Sequence, residues 1–566
     1  MAAVEPTGSW RAREVASAPK GVVLDPQRDS VPGITSFPTL YARGHLLISG
    51  ATDAARVSLQ EAAEELGWDV ELEQVRDGET PLTRARIVES PKPRRDDEPV
   101  AQVDAWRLLQ QARRRVLERA LLKRRSRGRD ADGEDAVARV KRAVALAASR
   151  SLDPDVDPRD FAEERRAIIA DETLRRVGLD HVLVVDPIGV NPHGRTNPHG
   201  RTNPHGRTNP HGRTNPAGTE GCAYAGTGGL EIVDFVGAAP VRRGVAKGGR
   251  RPVVAYFDTG CGDHSWFVDD IGSDPIIVRN LPSPTRPGTV IGVEDPATDP
   301  EVHGDQAGPR DGFLDDAAGH GTFVAGIIRQ AAPDARIVAI RIADSNGTVL
   351  ESELIDAVEE LAAWAEKGNP VDVVNFSLGY YHETPEDGLF SERLYDALRR
   401  LRAGGTIIVC SAGNDATDRP SFPAALYEWG DPDLSFEEAG VAGRHLAIGA
   451  LNPQRTSVAL YSNIGKWVTA YAPGTSVLSA FPSLTGGVQA GSRADLYDRR
   501  RQSLDPDDHS GGFAIWSGTS FASPYVAGRI AASLADGLLS GSISAPTSDA
   551  LEGTLAALDE EDHSRV

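Results

Sequence analysis

From Pro252 to about Gly537 the chain alternates two kinds of segment, and this alternation limits what it can fold into. Short, nearly continuous apolar runs (VVAYF, RIVAIRI, VDVVNFSL, TIIVC, HLAIGAL) are separated by runs with helical spacing (GTFVAGIIRQ, ESELIDAVEELAAWAE, SERLYDALRRLRAG). A strand that is apolar at every position has no face for water, so it belongs in a parallel sheet covered on both sides. Repeated strand-then-helix order supplies the crossovers such a sheet needs. The expected fold of this part is therefore α/β, a mainly parallel sheet with helices on both faces. Ligands and catalytic groups of such sheets collect at the carboxyl ends of the strands.

Three polar residues fall where that rule directs attention. Asp258 ends the first apolar run in VVAYFDTG, His320 opens a helix in GHGTFVAG, and Ser520 opens another in SGTSFASP. Singly, each has a plain structural reading: a turn-forming Asp, a helix-start His, a capping Ser. Taken together and in this order, the three motifs resemble those of the subtilisin-like serine proteases, the subtilases. The resemblance covers roughly residues 252–537 and extends to VNFSLG at 374–379, SAGN at 411–414 and YSNIGKWVTAYAPGTSVLS at 461–479.

The resemblance implies a subtilisin-like catalytic domain and a serine endopeptidase working through an acyl-enzyme. Ser520 is then the nucleophile, His320 the base that accepts its proton, and Asp258 the carboxylate that orients and stabilises the imidazolium. Asn414 and the Ser520 N–H would donate to the oxyanion. Ser377, Leu378 and Gly379 would pair with an extended peptide as an added strand, with residues 343–349 as the opposite wall. Ser411, Ala412 and Gly413 would border the pocket for the residue before the scissile bond. The partner implied is a protein or peptide substrate; its sequence is not legible. A narrow-specificity intracellular processing or effector protease, and an inactive subtilase-fold binding protein, are the other readings.

Several segments depart from a minimal subtilase. Residues 294–319 are rich in Asp and Glu, which reads as a solvated loop or as a place for structural calcium. No metal is assigned to the active site and none is required for the chemistry. An insertion at about 484–514 precedes the nucleophile motif and is either a gate or a surface loop. Cys261, next to the DTG motif, reads as a small structural residue, and Cys410 as a buried thiol. A Cys222–Cys261 bridge is conceivable, but three cysteines do not make a disulfide framework.

Ahead of the catalytic part, residues 44–186 read as β-α-β-β-α-β with an enlarged, charged second helical region at about 100–178. That order indicates a small ferredoxin-like α+β domain. Many subtilases carry an N-terminal prodomain of this order, so the region is expected to be prodomain-like and inhibitory. Its basic run RRRVLERALLKRRSRGR reads as a solvated helix face. Residues 1–43 read as a flexible tail, 187–251 as a flexible linker and 541–566 as a C-terminal tail. The linker holds four tandem NPHGRT hexamers, whose Pro and Gly disfavour helix and sheet. Their histidines recur every hexamer and are a possible metal tract. The linker ends in RRGVAKGGRR, read as exposed.

The 566 residues carry a formal charge of -21, which argues against nucleic acid as the main partner. No apolar leader or membrane-length apolar run is visible, so a cytoplasmic location and no membrane partner are expected. Oligomeric state is not legible. The Arg-, Ala- and Gly-rich composition hints at a bacterial source.

Overall fold

The computed structural model describes residues 10–565 except 51–52, 77–80, 91–101, 128–132, 154, 186–229, 235, 269–273, 309–311, 385–391, 428–442, 487–498 and 500–507. The NPHGRT repeats, Cys222 and most of the 484–514 insertion therefore lie outside the described residues.

The apolar runs form one parallel sheet of seven strands. Across the sheet the order is Ala470–Pro473, His445–Leu451, Ile407–Ser411, Val373–Phe376, Val253–Asp258, Arg336–Arg341 and Ile277–Val278. All six neighbouring pairs are parallel. Alternate residues of the central strand enter separate cores, as its period of two requires. Val254 and Tyr256 pack with helices His320–Ala331 and Thr519–Ser540 on one face. Val253, Ala255 and Phe257 pack with helices Glu351–Glu366 and Glu392–Ala403 on the other. The subtilase-like α/β reading of the sequence is the observed architecture.

Topology explains where the site sits. From strand 253–258 the chain crosses to 336–341 on one side, and later to 373–376 on the other. This reversal opens a crevice at the carboxyl end of the central strand, where Asp258 is the last residue.

The front region is a second, antiparallel sheet. Its strands run in the order Trp68–Arg76, Leu82–Glu89, Leu40–Ser49 and Val177–Val185. This is the small α+β fold expected. The long charged region is split into helices Ala105–Arg127, Gly133–Ser151 and Ala162–Ile169. Leu46, Ile48 and Leu59 share its core with Trp68, Trp106 and Leu109. The basic face is paired within the unit: Arg115 meets Glu61 and Glu65, Arg119 meets Glu61, and Arg124 meets Glu163. The opposite face of the sheet lies on helix 351–366. There Arg76 pairs with Asp356 and Glu360, and Asp180 accepts from the Ser352 N–H at 2.9 Å and its hydroxyl at 2.7 Å. A carboxylate there also complements the positive end of that helix.

Three segments expected to be loose are ordered where they are described. Within 10–43, helix Trp10–Ser17 sends Arg13 to Asp305 and to the Gly308 carbonyl, strand Val22–Val23 joins the front sheet, and Leu24 and Val31 are buried. At the other end, helix Ser548–Glu561 buries Leu551 and Leu558 in the catalytic core. From the expected linker, Glu231–Val233 pairs with strand Phe513–Trp516. The basic run at 242–251 is tied down by long-range ion pairs at both ends, while residues 243–248 stay exposed as expected. Arg243 meets Asp334, Arg251 meets Asp274, and Arg250 forms a two-pronged pair with the buried Asp372 at 2.7 Å through each nitrogen. Composition marks Pro, Gly and Arg as loop-like, but these partners are far away in sequence. Among the described residues, no helix is long and apolar enough to cross a membrane.

Candidate active site

Asp258 and His320 meet in the crevice. His320 Nδ1 lies 2.8 and 3.0 Å from the two Asp258 carboxylate oxygens. The contact sets the tautomer: Nδ1 carries the proton, which leaves Nε2 as the basic nitrogen. Among the described residues Nε2 has no hydrogen-bond partner, although it is buried. The ring is fixed by Trp516, edge-on at 5.7 Å, and by Phe521 at 5.3 Å. Phe521 follows Ser520, so the ring contact sets the imidazole beside the Ser520 turn, but Ser520 Oγ and His320 Nε2 share no hydrogen bond in this structure.

Two glycines make this approach possible. A Cβ on Gly321 would stand 2.1 Å from the Gly260 carbonyl oxygen, because the start of the His320 helix presses directly on the Asp258 turn. Gly260 itself has φ +115°, a conformation open chiefly to glycine.

Ser520 lies in the first turn of helix Thr519–Ser540, which contains Pro524. Proline has no N–H to give to the carbonyl four residues back, so the Ser520 carbonyl needs another donor. The Ser377 hydroxyl provides it at 2.8 Å, and the Ser520 hydroxyl in turn lies 3.4 Å from the Ser377 carbonyl. The nucleophile turn is thereby tied to the strand expected to bind substrate. Asn414 is tied to the same turn: its side-chain oxygen accepts from the Thr519 N–H and hydroxyl, both at 2.9 Å. This leaves the amide nitrogen as the donor end of a side chain that Thr519 ties to the Ser520 turn.

The sequence reading missed Glu301. It belongs to the acidic stretch taken for a solvated loop, yet it is 2% exposed. One carboxylate oxygen accepts from the Thr259 hydroxyl at 2.5 Å and the Gly321 N–H at 3.1 Å. The other accepts from the Thr322 hydroxyl at 2.5 Å and its N–H at 3.3 Å. Glu301 thus joins the residue after Asp258 to the two residues after His320. Burial raises its pKa to about 7, against the downward pull of the Thr259 and Thr322 hydroxyls. The neighbouring carboxylates are also engaged: Asp305 with Arg13, and Asp315 with the N–H groups of Gln306 and Ala307 at 2.8 and 2.9 Å.

The cleft is filled by the front region. Strand 177–185 runs between the two expected substrate walls and pairs with both. Leu183 and Val184 stand opposite Val349 and Thr348 on strand Thr348–Leu350, while Val185 and Val184 stand opposite Leu378 and Gly379. The Val185 N–H donates to Gly347 at 2.7 Å. Val182 and Val184 line one pocket with Gly379, Ser411 and Gly413. Leu183 and Val185 enter the core beside Leu378, and Ala412 lies in the same core. Each such apolar side chain contributes about 1.5–3 kcal/mol on full burial. With the strand in place Asp258, His320 and Ser520 are all inaccessible to solvent.

A charged clasp holds the strand. His181 Nδ1 lies 2.6 Å from Glu351 and Nε2 lies 2.8 Å from Glu383. Burial alone would lower this pKa, but the two carboxylates overcome it and raise it to about 10. Glu351 also accepts from Tyr380 at 3.2 Å.

The subtilase family model matches residues 249–541, more than half of the chain. The chain belongs to the subtilase family. Subtilisin-like protease 7 of Trichophyton tonsurans is 29% identical over 256 residues, 43% of this chain and 51% of that protein. The intracellular serine protease of Paenibacillus polymyxa is 27% identical over 296 residues, 50% of this chain and 66% of that protein. The chain thus spans about half the length of the Trichophyton relative. Among solved structures, a cold adapted subtilisin-like serine proteinase aligns at TM-score 0.31 and 22% identity, covering 54% of this chain and 82% of that one. The protease domain of PatA aligns at 0.34 and 23%, covering 54% and 86%. The fold assignment rests on the strand order and the family match, not on these two superpositions.

Proposed function

We propose that this subtilase is a serine endopeptidase in which Ser520 attacks the peptide carbonyl, and that the front region holds it latent. His320 Nε2 takes the Ser520 proton as the tetrahedral intermediate forms, then gives it to the leaving amine. Asp258 holds the Nδ1 proton throughout and stabilises the imidazolium. Asn414 and the Ser520 N–H stabilise the oxyanion. The acyl-enzyme is hydrolysed by the same steps with water in place of Ser520. Ser377, Leu378 and Gly379, with strand 348–350 opposite, receive the substrate backbone, and Ser411, Ala412 and Gly413 border its pocket.

The observation that carries the reading is the occupied cleft. A strand of the protein's own front region pairs with both walls as a peptide substrate would, over a buried Asp–His pair and a buried serine. Latency by occupation follows, because no second peptide can enter while strand 177–185 is seated. The test is hydrolysis of a fluorogenic casein by the full chain and by Ser520→Ala, before and after limited digestion with an immobilised second protease that is removed before the assay. The expected result is hydrolysis that appears or rises on digestion and is absent from Ser520→Ala throughout. Equal hydrolysis by both proteins would overturn the assignment of Ser520. Full activity without any cleavage of the chain would overturn latency.

A further inference from the structure

In the seam between the front region and the catalytic part, three side chains of the ligand type converge. His181 comes from strand 177–185; His382 and Glu383 come from the segment just after the substrate wall at Gly379. All three are buried, and their ligand atoms lie within 4.8 Å of one another. We propose that His181, His382 and Glu383 bind a divalent transition metal, with zinc the best chemical match, and that the metal staples strand 177–185 into the cleft. The site itself is independent of the peptidase assignment; only its effect on latency rests on that reading.

The contact between His382 and Glu383 is the main observation. His382 Nδ1 accepts the Thr384 N–H at 3.1 Å, so it presents a lone pair and not a proton. That same nitrogen stands 3.4 Å from a Glu383 carboxylate oxygen. Thr384 supplies the donor to Nδ1 and His181 Nε2 the donor to the carboxylate, so a bound cation would take the place of the Thr384 contact and of the His181 proton. A cation in the gap between Nδ1 and the carboxylate converts both into ligands. The spacing also suits a small ion. Bonds of about 2.0–2.1 Å in tetrahedral geometry place ligand atoms about 3.3 Å apart. Here His382 and Glu383 are 3.4 Å apart, the 2.8 Å between His181 and Glu383 is a hydrogen bond that would open by about 0.5 Å on metal binding, and all three atoms lie within 4.8 Å of one another.

The surroundings complete the pattern. A metal-bound imidazole usually gives its other N–H to a carboxylate, which fixes the tautomer. His181 does so through Nδ1, 2.6 Å from Glu351. The backbone of the other two ligands is held from outside: Arg419 donates to the His382 carbonyl at 2.9 Å, and the Phe37 N–H donates to the Glu383 carbonyl at 2.7 Å. Glu351 and Glu383 supply two negative charges to a dication, with the Arg113 and Arg419 guanidiniums also within electrostatic reach of the site. Binding is a simple exchange: the metal replaces the Nε2 proton of His181, which leaves to solvent, and no electron moves. Two imidazoles and a carboxylate favour zinc over calcium or magnesium.

The test is zinc titration calorimetry on the metal-stripped full chain carrying Ser520→Ala, which prevents self-digestion. The same chain is compared with His382→Ala added, and with the four repeat histidines His193, His199, His205 and His211 changed to Asn. The expected result is a zinc event with proton release that survives the repeat changes and weakens about tenfold or more in His382→Ala. Should His382→Ala fail to fold, His181→Gln is read in its place. No binding, or binding of the same strength without His382 or His181, overturns the site. The regulatory claim is read on the otherwise wild-type chain: chelation is expected to increase labelling of Ser520 by a fluorophosphonate. Zinc binding with labelling unchanged by chelator overturns the staple.

Discussion

Replacing Glu301 with Gln tests whether a buried carboxylate behind the Asp–His pair governs how this protein responds to pH. Burial raises the Glu301 pKa from 4.5 to about 7. The folded protein therefore holds this proton more tightly than the unfolded chain does. Its contribution to stability is complete below about pH 4.5 and is lost as the pH rises through about 7. The shift corresponds to about 3 kcal/mol in total, of which roughly 2.5 kcal/mol falls between pH 5 and pH 8. Glu301→Gln cannot titrate. It instead introduces a fixed cost of about 1–3 kcal/mol for each donor left facing its NH₂ group, the Thr322 N–H being the candidate. The assay is urea unfolding at pH 5 and pH 8, on Ser520→Ala with and without Glu301→Gln. The difference between the two proteins isolates this group, since every other titration is common to both. Expected is a stability loss from pH 5 to pH 8 smaller by about 2–3 kcal/mol in the Glu301→Gln protein. An identical pH dependence in both would refute the account of Glu301.

Other outcomes follow from the same geometry. Asn414→Ala removes the oxyanion donor and is expected to lower kcat about 10²–10³-fold, with little change in KM, in a steady-state peptide assay. Val184→Asp puts a carboxylate into the pocket that Val184 shares with Asp415, where desolvation and like-charge repulsion both oppose it. It is expected to unseat strand 177–185, read as faster proteolysis of the front region and higher activity of the full chain. Gly321→Ala drives a methyl into the Gly260 carbonyl, so expression of folded protein or its activity is expected to fall sharply, whereas Gly288→Ala, with open space around its Cβ, is the milder control despite its φ of +80°.

Much of the catalytic half is legible in the sequence because the deciding signals are local. Residues 253–258 are buried at every position, which is what an unbroken apolar run in a doubly covered sheet requires. The glycines around Asp258, His320 and Ser520 mark close backbone approach within short motifs. The front βαββαβ order is legible for the same reason. What fails is whatever depends on a distant partner. Glu301 reads as one more acid in an acidic loop until Thr259, Gly321 and Thr322 surround it. His181 looks like a polar interruption of HVLVV until Glu351 and Glu383 arrive from far along the chain. Residues 10–43 carry no periodic signal because their order comes from contacts such as Arg13 with Asp305 and Tyr41 with Asp104 at 2.9 Å.

The central claim is that Ser520 is an activated nucleophile beneath a strand that must leave before it can react. The most direct measurement is intact mass with peptide mapping after exposure to a fluorophosphonate, on the full chain, on Val184→Asp, and on each with Ser520→Ala. The account predicts a single adduct on Ser520, slow in the full chain, faster in Val184→Asp, and absent from both Ser520→Ala proteins. An adduct that persists without Ser520, or no adduct on folded Val184→Asp with the strand shown to be released, would contradict it.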